Sequence, residues 1–507
     1  MNSARILAAL LLTTTLPSSC TFQNFGRFWE DKPQNVGSSA GSPSVSLPVN
    51  ALWARSTTVA TNGSDFQSVA TDSSGNIIVA GNIQNTTPVN FGGTAITGLH
   101  STNSVALVRY NAAGTLLSSS TATAASNQNS LNALAVDSSN NIYAVGYHFG
   151  TGSFNYGAGA VTGGNNANNA FITKYNSSGT ALWTRSVTGG SSNSVFSSVA
   201  VDSAGNVYAV GYISATATYS FGAQTVTGVA GARNILIVKY NSAGTEQWVR
   251  TATSGTLASD LKAAAFDNAS NTLIVGGTQN GPGTLAYGGT PVNAAYAGNN
   301  ALVLKFDSLG SFVWGRSTAA AANNSRVDSL AVASTGDILA CGYITGNTSY
   351  DFGSGVTVSA PVAALTNFVL LKVDSSGVPQ WIRTPSVAAD TSACNEVTVD
   401  TSGSVFTAGS INGVAPFTFG DKTVAGIFAG GSNSALVRYT LAGETAAINT
   451  VVSGASQASF ASVAIDPTGN VFAVGTQNLN GSYGYGGGVN VAGASATANN
   501  AAIVKFQ

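Results

Sequence analysis

One fourteen-residue phrase is written seven times in this chain. "VAVDSAGNVYAVGY" (199–212) recurs at 69–82, 134–147, 264–277, 330–343, 397–410 and 463–476, always 65 to 67 residues apart. A fixed period of this kind marks a repeat architecture, in which no single unit can bury its apolar side alone. Two further elements keep the same phase. One ends in a basic residue and an apolar one, as in "LVRY" (107–110), "IVKY" (237–240) and "IVKF" (503–506). The other pairs tryptophan with arginine, as in "WTR" (183–185), "WVR" (248–250), "WGR" (314–316) and "WIR" (381–383), and is lost at Ser118 and Ala447.

Alternation and β-branched content predict four strands per unit. In the third copy these are A, about 198–202; B, about 207–212; C, about 234–240; and D, about 246–251. Asp202 to Gly205 turns A into B, and Asn241 to Gly244 turns C into D. Both turns use residues whose side chains accept turn amides, followed by a glycine that tolerates positive φ. Four short antiparallel strands, repeated radially, are expected to be a β-propeller blade. The last copy stops after strand C at Gln507, while "ALWARS" (51–56) carries an extra strand D pattern at the other end. The expected fold is therefore all-β: a seven-bladed β-propeller with four antiparallel strands per blade, closed by the N-terminal strand completing the last blade. A linear solenoid would need capping repeats instead.

The motifs "DSSGN", "NVYAVGY", "FG", "VTG" and "KYNSSGT" resemble the bacterial SBBP type of β-propeller repeat over about residues 51–507. The resemblance implies a fold and little about activity, since propellers host unrelated functions.

The N-terminal segment reads differently. "MNSARILAALLLTTTLPSSC" has the basic Arg5, an apolar run from Ile6 to Leu12, and small residues before Cys20, which is a secretory signal pattern. Its end resembles the lipobox of bacterial lipoproteins, with Pro17 where the usual pattern has leucine. The expected organisation is a lipoprotein-type signal peptide over 1–20 with lipidation at Cys20, a flexible Ser/Pro/Gly/Asn-rich tether over 21–49, and the propeller over 50–507. That places the chain at the cell envelope, either outer-membrane lipid-anchored or secreted, as a monomer that meets membrane through the lipid anchor alone. No other apolar run approaches the ~20 residues of a membrane helix. An outer-membrane β-barrel ranks last, because its strands run ~9–11 residues and these are shorter and come in fours.

Only 8% of residues are charged and the net charge is −1, so no electrostatic footprint for nucleic acid exists. Most charges belong to the repeat: strand C and strand D carry a basic residue in nearly every copy, and six A–B turns carry an aspartate, with Ala333 in the fifth. One aspartate per turn falls short of the about six to eight oxygens that Ca²⁺ takes, so the aspartates are read as turn caps. Tryptophan and arginine two apart on strand D share a face and can stack against the next blade. Outside the repeat remain Arg233, Lys262, Arg326 and Lys422, with acids such as Asp260, Asp328, Asp351, Asp390, Glu396 and Asp421.

The A–B and C–D turns are short and nearly uniform, whereas the B–C inserts and D–A connections are long and variable. Each insert carries an "FG"-type aromatic, at Phe91, Tyr156, Phe221, Tyr287, Phe352, Phe419 and Tyr485, and is read as a small hairpin. Variable loops on a rigid scaffold are the usual place for binding, so this face is the expected functional surface. The two histidines, His100 and His148, fall in the inserts of neighbouring units and are read as surface or turn residues. No zinc-ligand spacing appears. Cys341 takes an apolar place of strand B, which favours a buried thiol; a disulfide with Cys394 is left open. The sequence thus predicts a non-enzymatic module binding an extracellular protein or glycan, with no cofactor, no metal and no catalytic residue. The alternative is a glycan lyase or hydrolase, which needs an acid–base pair at the channel mouth.

Overall fold

The computed structural model describes residues 49–507; the signal segment, Cys20 and most of the tether lie outside the described residues. Among the described residues every regular element is a strand. The strands form seven four-stranded antiparallel sheets and seven small hairpins, an all-β arrangement of the propeller kind; in the second unit Ala124–Ala125 adds a third strand to the hairpin. In the third unit strand A is Ser194–Val201, B is Val207–Ser214, C is Arg233–Tyr240 and D is Glu246–Arg250, hydrogen-bonded in that order. In the last sheet Ala458–Ile465, Val471–Asn478 and Asn499–Phe506 are completed by Ala51–Ser56, with Trp53 opposite Lys505.

Strand B is apolar almost throughout because it is covered on both faces. Its side chains alternate between two neighbours: Val207 and Ala209 join the core shared with the second unit, Tyr208 and Val210 the core shared with the fourth. Seven such cores exist, one between each pair of successive sheets and one between the first sheet and the last. Each fully buried Leu, Ile or Phe contributes roughly 1.5–3 kcal/mol. Polar contacts follow the same path. Ser68 Oγ accepts the Leu134 amide at 3.2 Å, Ser198 that of Ala264 at 3.2 Å and Ser329 that of Val397 at 3.1 Å, while Ser462 in the last sheet accepts the Val69 amide of the first at 3.0 Å.

The repeated charges have structural work. Asp202 Oδ1 accepts the amides of Ala204 and Asn206, and Oδ2 accepts from Asn206 Nδ2, capping the A–B turn. On strand D, Trp183 Nε1 donates to the Ser242 carbonyl and Arg185 Nε to that of Gly244, both in the C–D turn of the next sheet. The guanidinium stands 5.6 Å from the indole centroid. The indole packs on Gly244, where a Cβ would fall 2.7 Å from Trp183 Cδ2 and where the φ of +80° also favours glycine. The same clasp is made by Trp53, Trp248, Trp314 and Trp381. Ala447 lacks the tryptophan because the sheet after it has no C–D turn: its strand D comes from the other end of the chain. Ser118 has no such reason, and there the strand C cation reaches the next turn alone, Arg109 donating to the Ser178 carbonyl at 3.0 Å as Lys174 does to that of Ser242 beside Trp183.

Each insert aromatic is buried against its own blade. Its identity is matched to one residue near the end of strand B. Where the aromatic is phenylalanine, at 91, 221, 352 and 419, the partner is isoleucine, at 83, 213, 344 and 411. Where it is tyrosine, the partner is polar: Tyr156 with His148 (3.3 Å), Tyr287 with Gln279 (3.2 Å) and Tyr485 with Gln477 (3.2 Å). A buried phenol needs a hydrogen-bond partner, and each tyrosine has one. His148 is therefore a core residue and not a surface one: its ring stacks on Phe154 at 4.2 Å and burial lowers its pKa to about 3. His100 has separate partners, with Nδ1 at 2.9 Å from Thr102 Oγ1. Cys341 and Cys394 are disulfide-bonded, joining strand B of the fifth sheet to strand A of the sixth.

Candidate functional site at the mouth of the inner-strand channel

Strand A begins about four residues earlier than the sequence pattern suggests, because each A strand carries a β-bulge. In the third sheet the register jumps between Phe196 and Ser198, leaving Ser197 without a partner on strand B. Each bulge faces the glycine of the "AVGY" phrase: a Cβ on Gly211 would fall on the Val195 carbonyl oxygen, and six other copies repeat this. A bulge inserts one residue and re-aims its side chain. Here the extra residues are Gln67, Asn132, Ser197, Lys262, Asp328, Asn395 and Ala461, and all seven line one narrow cavity of about 170 Å³ between the A strands.

That cavity opens, on the side of the B–C inserts, into a wider mouth of about 460 Å³ rimmed by Tyr147, Tyr212 and Arg233. A side pocket of about 340 Å³ adjoins it, between Arg233, Asp260, Lys262 and Arg326. The mouth is thus built from the inner strands. The hairpins pack instead beside the outer strand D of their own blades, where they cover the sheet edge. The expected surface is on the correct side of the sheets, but the inserts do not form the concavity.

Five charges meet at this mouth, of which only Asp260 has a counterpart in another sheet, Asp65 in the first, which accepts from Asn82 as Asp260 does from Thr278. Arg233 Nη1 donates to Asp260 Oδ2 at 2.9 Å, and Lys262 Nζ stands 3.6 Å from the same oxygen. Asp260 Oδ1 accepts from the Thr278 hydroxyl at 2.7 Å. Arg326 Nε lies 2.6 Å from Asp328 Oδ1. The guanidiniums stack on tyrosines, Arg233 at 4.2 Å over Tyr212 and Arg326 at 4.7 Å over Tyr343. Burial alone would push the Asp260 carboxyl up, but Lys262, the Thr278 hydroxyl and Arg233 together hold it below the ordinary range. At Asp328 burial wins over Arg326 and raises the pKa. One level deeper, Glu396 takes the place that Ser68, Ser198, Ser329 and Ser462 hold in other sheets. Burial raises it to about 7 against hydrogen bonds from the Ser462 hydroxyl and the Val463 amide.

The repeat supplies an internal control. Opposite the end of strand B, where Arg233 stands, the other sheets have Asn103, Asn168, Asn299, Thr366, Ser432 and Asn499. Six sheets fold without an arginine there, so the fold does not require it. The remaining non-repeat acids stand elsewhere: Asp351 in a hairpin, Asp390 before an A strand, and Asp421 paired with Lys422 at 2.8 Å in a hairpin turn. Among the described residues no group of three or more His, Cys, Asp or Glu stands together to hold a metal ion.

No protein-family model matches the chain. No curated protein matches it either. Among solved structures it is similar to a chain of a mitotic checkpoint complex (10% identity, TM-score 0.41, covering 89% of this chain and 95% of that one). It is likewise similar to a streptogramin B lyase (9%, 0.41, 90% and 98%) and to the polysaccharide lyase Uly1 (10%, 0.43, 88% and 90%). Likenesses this distant leave the activity to be read from the chain's own residues.

Proposed function

We propose that the chain is a closed seven-bladed β-propeller of SBBP-like repeats, exported and held at the cell envelope through Cys20, which binds an extracellular protein or glycan at the channel mouth without transforming it. Ring closure is supported by the pairing of Ala51–Ser56 with Asn499–Phe506 and by the core between the first and last sheets. The binding site is supported by one observation above all: Arg233, Asp260, Lys262, Arg326 and Asp328, none demanded by the repeat, converge on one concavity. Preorganised ion pairs and stacked tyrosines on a rigid frame are what specific polar recognition needs.

The test is a glycan and matrix-protein array probed with the folded domain, wild type beside Arg233→Asn and Arg326→Ser. Binding that falls in the variants supports the site. Binding that survives both and disappears when the hairpins are trimmed moves it to the inserts. Mass analysis of the mature N-terminus of the exported protein checks the anchor: a diacylated Cys20 is expected.

A catalytic reading has one observation in its favour. Asp260 and Asp328 are pushed apart in pKa by their surroundings, as acid and base pairs are. Both carboxylates are nevertheless engaged by cations, which suits binding better than proton transfer. Depolymerisation of an array ligand by the wild type and its loss in Asp328→Asn would replace the binding reading with a lyase or hydrolase.

A further inference from the structure

The side pocket beside the channel mouth has more positive donors than its acids consume. Arg233 spends Nη1 on Asp260, and Arg326 spends Nε on Asp328. Asp260 is itself saturated, with Oδ1 on Thr278 and Oδ2 shared between Arg233 and Lys262. Among the described residues the remaining guanidinium N–H groups of Arg233 and Arg326 have no hydrogen-bond partner, and the Lys262 ammonium has only its long contact to Asp260. These side chains are accessible, at 50%, 28% and 35% exposure for Arg233, Lys262 and Arg326. The pocket wall holds three cations and one carboxylate. Its neutral lining is two alanines, Ala232 and Ala258, with the hydroxyls and amides of Ser259, Thr278, Asn280 and Asn299.

Resting on the reading of the mouth as a binding site, we propose that this pocket takes the carboxylate of an acidic saccharide, one uronate ring at a time. Two guanidiniums present planar forks that match a carboxylate, and Lys262 adds a compact charge beside them. The volume of about 340 Å³ suits one ring, and the amides and hydroxyls around it suit a polyhydroxylated body. A protein partner fits less well. Protein interfaces are anchored by apolar and aromatic residues in the centre, and this pocket is lined by no large apolar side chain, its apolar residues being Ala232 and Ala258 alone. The wider mouth offers Tyr147 and Tyr212 as a platform for the next ring of the chain.

The test titrates hexagalacturonate, its methyl ester, a neutral hexasaccharide of galactose, dextran sulfate and poly-glutamate against the folded domain. Arg233→Asn and Lys262→Gln are the site variants, each copying a residue that other sheets carry at that place. The expected result is saturable binding of hexagalacturonate, at least about tenfold weaker for the methyl ester and in each variant, and weakened by added salt. Equal affinity for acid and ester, equal affinity for dextran sulfate, preference for poly-glutamate, or no binding of hexagalacturonate each overturns the proposal. Binding of the neutral hexasaccharide that Arg233→Asn abolishes would overturn the acidic class and leave the mouth as the site. Binding of any saccharide that neither variant changes would remove the site itself.

Discussion

The channel between the A strands has two ends, both wide and both lined with acids, and only one of them carries a functional argument. At the A–B turn end a concavity of about 480 Å³ is lined by Asp72, Asp137, Asp400 and Asp466. Each of these carboxylates is occupied by amides of its own turn. At the opposite mouth Asp260 and Asp328 are occupied by side-chain cations from three sheets and hold them in place. The two ends are nearly equal in volume, at about 480 and about 460 Å³. What differs is repetition: the turn aspartates are copied from sheet to sheet because every turn needs one, whereas of the five mouth charges only Asp260 has a counterpart, Asp65 in the first sheet. In a repeat protein, departure from the repeat is the better guide to function.

The contrast is most sharply tested where the scaffold is least forgiving. Gly211→Ala places a methyl group on the Val195 carbonyl and should cost about 3 kcal/mol or prevent folding, read as the urea midpoint. Next comes the clasp. Trp183→Ala removes an indole from Gly244 and a bond to the Ser242 carbonyl, with an expected loss of about 2 kcal/mol. Hydrogen exchange should then quicken in the 241–244 turn. An unchanged midpoint in either variant would mean that repetition is not a record of structural need.

Smaller effects belong to the channel. Glu396 has a folded pKa of about 7 against an ordinary 4.5, so the folded chain holds its proton more tightly than the unfolded one. Wild-type stability should therefore fall as pH rises from about 4.5 to about 7 and level off above. Glu396→Ser, which restores the residue used in four other sheets, should remove that slope, so its advantage in melting temperature grows across the same window. A parallel pH profile for the two proteins would contradict the assignment. The smallest effect is expected at the mouth: Arg233→Asn should shift stability by less than about 0.5 kcal/mol while changing binding. A large stability loss there would make Arg233 part of the scaffold after all.

Much of the scaffold was legible because periodicity is a local signal. Strands, turns, the Trp–Arg stack and the insert hairpins all follow from residues a few places apart. The bulges were not read, although the signal was there: a glycine in the middle of strand B in all seven copies has no reason to exist in a regular ladder. His148 was misread as a surface residue because its partner, Tyr156, is identified only when the tyrosine–polar and phenylalanine–isoleucine pairs are compared across copies. The mouth was invisible for a deeper reason. Arg233, Asp260 and Asp328 come from three successive units, and nothing within one unit says which strand faces the channel. The disulfide was open for the same reason, since Cys341 and Cys394 meet only once two blades are docked.

The pairing of Ala51–Ser56 with Asn499–Phe506 also sets an order of assembly. During synthesis Ala51–Ser56 emerges with its hydrogen-bonding edge unmatched, and it stays so until Asn499–Phe506 has been made. Trp53 can reach the turn at Ala112 early, but its own sheet arrives last. A nascent chain therefore cannot complete this sheet before Asn499–Phe506 has been made. A product cut short before residue 499 leaves the edge of Ala51–Ser56 without its partner strand.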